Sequence, residues 1–273
     1  MPRNWLFSAL RLEETGHVDI RSFALGDGLQ WIKSGGRLFF KHPALWLIIS
    51  LIYMAIAFAL TRVPLFGVVL LGLVTPFFMG GMFGAAALLA KANSTNPKQI
   101  GEQFSVAGKY LFGDFADADA FFPIFQLSII IAGLALFAQS IVQPIAGPIL
   151  LDTVQFADMG TVQYLRFAGA LATAIGFFCF IMALLTYAVP LCVLDDAGVV
   201  GSLVYSAKAV WENLTAFIGF LAILSIPLIF VMIGALLSSA IGWAIALCVG
   251  SVFVALAINS MFCCYKLTFR WSE

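Results

Sequence analysis

The side chains able to do chemistry are few, and they gather at the edges of apolar runs. Histidine occurs only at His17 and His42. Acidic residues group as Asp114, Asp117 and Asp119 before one apolar run and as Asp195-Asp196 after another. Folding that brought Asp114, Asp195, Asp196 and His42 together would create the one grouping suited to acid–base work or to holding a cation. The plainer role for acids beside a helix start is to meet its positive end. The cysteines (Cys179, Cys192, Cys248, Cys263 and Cys264) lie in or beside apolar segments, form no CxxC pair and read as small buried hydrophobes. The chain has no Gly-Lys-Ser/Thr phosphate loop, no His-Glu-x-x-His and no Gly-x-Ser-x-Gly. No charge falls in the middle of an apolar run, where an ion path or proton relay would need one. A non-enzyme without metal or cofactor is the expectation.

The elements that carry these residues are set by composition. Of 273 residues, 62% are hydrophobic and 10% charged, where soluble domains carry about 25% charged residues. Only lipid can cover that much apolar surface. Six runs, near 44–61, 64–90, 120–142, 167–194, 216–237 and 241–265, are each long enough to cross a bilayer as a helix. The expectation is an all-α membrane protein of about six transmembrane helices. Residues 1–26 form an N-terminal segment without the apolar core of a signal peptide. Residues 27–267 form a single transmembrane domain, and 268–273 a tail. All Lys and Arg except Arg62 and Arg166 fall on one side of such an arrangement. The positive-inside rule then puts both termini in the cytoplasm. Residues 143–166 are expected to form a long outer loop lying back on the membrane. Net charge is zero, which leaves no basic footprint for nucleic acid.

A pattern recurs before the first, third and fifth runs: Gly35-Gly36-Arg37-Leu38-Phe39-Phe40, Ala107-Gly108-Lys109-Tyr110-Leu111-Phe112 and Ser206-Ala207-Lys208-Ala209-Val210-Trp211. Each reads small, small, basic, any, apolar, aromatic. Ile32, Phe104 and Leu203 precede it, and His42, Asp114 and Asn213 follow. The apolar spacing makes one face of a helix, and such a helix lies in the membrane interface. Asp114 and Asn213 are placed to cap the next helix. Three repeats of interfacial helix plus helical hairpin follow, over 27–92, 98–195 and 198–267. Arg37, Lys41, Lys109, Lys208, Trp31 and Trp211 are the candidates for lipid headgroup and interface contact. Gly80 and Gly84 form a GxxxG pair suited to helix packing. Pro76 and Pro190, in the second spans of the first two units, would loosen helices and with Asn259 line a cavity. Gln126, Gln139, Thr186, Asn259 and Ser260 would bond between helices or line a small cavity.

The segment Gly28-Leu29-Gln30-Trp31-Ile32, with Gly36, Leu38-Phe39 and Pro43, resembles the start of a family of uncharacterised proteobacterial inner-membrane proteins. That family has a "GW.LF…P" stretch before its first span; here Gly36-Arg37 stands where it has Gly-Trp. Thr75-Pro76, Gly80-Gly81 and Ala188-Val189-Pro190 resemble its other landmarks. The layout is also loosely similar to the membrane domain of some glycerophosphodiester phosphodiesterases. The resemblance implies a multi-pass protein of the bacterial inner membrane and supplies no activity. The expected role is a non-catalytic accessory or scaffold subunit whose partners are membrane lipids or another membrane protein or complex. A small-molecule or lipid transporter is the alternative.

Overall fold

The computed structural model describes residues 19–63, 66–91, 118–150, 160–195, 197–236 and 240–270. Almost all of these are helical, as apolar segments must be where no water can satisfy the backbone. Helix α1 (Asp27–Lys41) passes through one non-helical residue, His42, into α2 (Pro43–Thr61). Pro43 causes the break. A proline disfavours helical backbone in the residue before it, and His42 sits at φ −141° and ψ 59°. The chain continues through α3 (Gly67–Lys91), α4 (Ala118–Leu150), α5 (Thr161–Leu194), α6 (Val199–Glu212), α7 (Leu214–Leu236) and α8 (Ala240–Thr268). Two-residue strands β1 (Asp19–Ile20) and β2 (Phe269–Arg270) pair antiparallel.

Helices α2, α3, α4, α5 and α8 are each long and apolar enough to span a membrane. The pair α6 and α7, bent by 91° at Asn213, makes a sixth candidate. The sequence places the spans correctly but misjudges the hairpin tip between α4 and α5. Residues 143–150 and 161–166, expected as loop, are helical. The start of α5 is secured by Gln163, whose side chain accepts a hydrogen bond from the Gly160 N–H at 2.8 Å.

The bundle has an inside and an outside. The second helix of each expected unit (α3, α5 and α8) packs against the other two. Half or more of each is buried, against about a quarter of α2 and α4. Helix α1 lies against α8 and along α7, and α6 lies against α5. Each of these two short helices thus docks on the central helix of an expected unit other than its own. Small residues permit the approach. A side chain at Gly35 would collide with the backbone of Ser260, and a Cβ at Gly28 would stand 2.5 Å from the Ala216 carbonyl oxygen. Gly72 brings α3 against α4, with a Cβ there falling 2.8 Å from the Ala132 Cα. In a membrane such close packing supplies the association that water supplies elsewhere.

Candidate functional site

The features left for function lie at one end of the bundle, where α1 and α6 turn into α2 and α7. The two corners bury the same positions when Gly35 is set against Ser206. Gly28, Trp31, Gly35, Leu38 and His42 are buried, and so are Val199, Ser202, Ser206, Ala209 and Asn213. The outward positions match too. Leu29, Arg37 and Phe40 are exposed, as are Val200, Lys208 and Trp211. Phe40 is 73% exposed and Trp211 77%. An aromatic ring held that far out at the end of a spanning helix suits the membrane interface.

The outward faces differ in charge. On α1, Lys33, Arg37 and Lys41 recur every four residues and form one row. All three are exposed, and none has an ion-pair partner among the described residues. Asp27, the one acid on α1, is occupied at the helix start, accepting from the Ala24 N–H at 2.8 Å and from Gln30 Nε2 at 2.9 Å. On α6, Lys208 faces Glu212 at 3.9 Å, and Val204 takes the place of Lys33.

Trp31 is not an interface residue. It is 0% exposed and packs edge-on against Phe220 of α7 and Phe23. The amphipathic preference of an indole loses here to its volume, which packs between Phe23 and Phe220. Arg37, Lys41, Lys208 and Trp211 are exposed, and Lys109 lies outside the described residues.

Behind this end, polar side chains hold the chain to itself. Asn213 was expected to cap α7. Its Nδ2 instead donates to the Ala209 carbonyl of α6 at 3.0 Å and to the Arg21 carbonyl at 3.1 Å, while its Oδ1 accepts from the Phe23 N–H at 2.7 Å. A side-chain amide matches the donor and acceptor of an extended backbone, so Asn213 clasps residues 21–23. The Arg21 N–H bonds the Thr268 carbonyl at 3.0 Å, which ties the same segment to the end of α8. The Tyr187 hydroxyl of α5 meets Cys264 Sγ at 2.9 Å and Thr268 Oγ1 at 3.1 Å on α8.

The acid–base grouping is only partly in view. Asp195 accepts a hydrogen bond from the Tyr265 hydroxyl. His42 is buried at the first corner, where burial and then the charge of Lys41 lower its pKa. Asp114, Asp117 and Asp196 lie outside the described residues. Gly80, Gly84, Pro76 and Pro190 are all buried within this chain. Pro76, Pro190 and Asn259 sit one on each central helix. Among the described residues, Thr186 and Asn259 bond within their own helices. They donate to the carbonyls of Met182 and Ala255 on their own helices, at 2.7 and 2.8 Å, the local bond open to short polar side chains. Asn259 Oδ1 and Ser260 Oγ are buried without a partner among the described residues, and Gln126 is exposed. No mark in the sequence singles out the Asn213 clasp, because its partner segment is nearly two hundred residues away.

Comparison with protein-family models, with curated proteins and with solved structures returned no match.

Proposed function

We propose that this protein is a non-catalytic accessory or scaffold of the bacterial inner membrane, built from three copies of one unit and holding its termini in the cytoplasm. The observation that carries the reading is the destination of the polar groups at the corner end. Asn213, Tyr187 and Asp195 each bond another segment of the same chain, so their capacity goes into fixing helices in place. The shared burial register of α1–α2 and α6–α7 supports duplication, as does the meeting of α3, α5 and α8 at the centre. The relation to the proteobacterial inner-membrane family belongs to the same proposal. Gentle extraction with surrounding membrane, followed by native mass spectrometry, tests it. A membrane protein held at fixed stoichiometry is the expected result. A bare protein that moves a solute into proteoliposomes would replace the scaffold reading with the transporter reading, for which buried Pro76 and Pro190 in central helices are the favouring observation.

A further inference from the structure

We infer that the row Lys33, Arg37 and Lys41 on α1 is a binding surface for anionic phospholipid headgroups, and that α6 does not share this preference. The inference deepens the scaffold reading, since it assigns a partner class to one of its interfacial helices.

The argument begins from the arc that α1 presents outward. Positions 29 and 40 fall on one edge of that arc, 33 beside them, and 37 and 41 on the far edge, as a helical period requires. Leu29 and Phe40 are exposed and apolar; Arg37 and Lys41 are exposed and charged. A helix so divided lies flat in the interface, with its apolar edge toward acyl chains and its charged edge at phosphate level. Long basic side chains reach along the surface while their stems stay on apolar ground. The three cations stand one helical turn apart, the spacing at which they act on the same patch of membrane. No acid among the described residues engages them, and phosphate is the anion a membrane surface offers.

The comparison with α6 sets the specificity. The same register on α6 reads Val204, Lys208 and Glu212, which sums to no net charge against three positive charges on α1. Its aromatic edge is kept, with Trp211 standing where α1 has Phe40. Both helices therefore meet the interface, but only α1 distinguishes anionic from zwitterionic lipid.

The test uses the full chain in nanodiscs of phosphatidylcholine mixed with phosphatidylglycerol, with retained lipids identified by native mass spectrometry. The wild-type protein is expected to keep phosphatidylglycerol over phosphatidylcholine. The triple variant Lys33→Gln/Arg37→Gln/Lys41→Gln should lose that preference by roughly a hundredfold, given the contribution of each basic residue near an anionic surface. Lys208→Gln should leave it unchanged. The thermal midpoint of the triple variant should match wild type, because the three side chains are exposed and hold no ion-pair partner among the described residues. Undiminished preference in the triple variant, or an equal loss in Lys208→Gln, overturns the inference. If the triple variant instead sheds a co-purifying protein and still prefers phosphatidylglycerol, the row is a protein interface and the lipid assignment fails. If both proteins keep such a partner but only wild type prefers the anionic lipid, the scaffold and the lipid surface stand separately.

Discussion

Helix α1 and helix α6 bury the same positions with opposite materials. On α1 the inward face combines bare glycine with bulk: Gly28 and Gly35 let the backbone approach α7 and α8, and Trp31 and Leu38 fill what remains. On α6 the same places hold Val199, Ser202, Ser206 and Ala209. Here hydroxyls join the helix to its neighbours. Ser206 donates to the Leu184 carbonyl of α5 at 2.9 Å, and Ser202 Oγ accepts from Cys192 Sγ at 3.2 Å and donates to the Ala197 carbonyl at 3.4 Å. One docking problem is thus solved by volume on α1 and by hydrogen bonding on α6. The docking register is what the two share, and the contact chemistry is where they differ.

The contrast breaks most visibly at Trp31. Trp31→Ala should cost about 3–5 kcal/mol, the range for emptying a packed aromatic position. Its counterpart Ser202→Ala should cost only about 1 kcal/mol, the net worth of an ordinary hydrogen bond. Thermal unfolding in detergent reads both, and equal losses would show that α1 and α6 do not differ as described. Next in size is Gly35→Ala, which drives a methyl group into the Ser260 backbone and should cost about 1–3 kcal/mol, as overpacking does. The adjacent Gly36→Ala meets open space and should be neutral or stabilising by up to about 1 kcal/mol, through the better helix propensity of alanine. Asn213→Ala removes three hydrogen bonds, one of which leaves a backbone N–H bare, for a loss of about 2 kcal/mol. Amide exchange at Phe23 should accelerate while exchange in α5 stays slow.

The smallest effect compares His42 with Asn213, which occupy the same corner position. The pKa of His42 is lowered in the folded chain by burial and by Lys41. Below the ordinary imidazole value the unfolded chain therefore binds the proton more readily than the folded one. Stability is complete above that value and declines as pH falls toward the lowered one. His42→Asn, which copies the other corner, should flatten this slope. An unchanged slope in an unfolding series across that window would place the titrating group elsewhere.

Much of the fold was legible because it depends on local pattern. Apolar run length fixes the spans, and the period of α1 and α6 marks them as amphipathic. The corner at His42 is written in Pro43. What escaped depends on partners distant in sequence. Trp31 reads as an interface residue because indoles favour that depth, and only the meeting of α1 with α7 shows the ring enclosed. Asn213 reads as a helix cap because the segment it clasps, residues 21–23, stands far up the chain. Gln143, Pro144 and Pro148 read as loop, yet α4 continues through them to Leu150. Of the candidate surface, the basic row was partly visible, since Arg37 belongs to the recurring pattern and Lys41 stands beside it among the candidates for headgroup contact. Its contrast with α6 needed the exposure of each side chain.

The docking of α1 on α8 also has a consequence in time. Gly35 is made early, and the Ser260 backbone it fits emerges more than two hundred residues later. At synthesis rates of about 5–20 residues per second, α1 waits on the order of 10–40 s for the α8 backbone it docks on. The close fit of Gly35 on Ser260 is therefore among the later contacts to form, and α1 completes its packing only when α8 stands beside it.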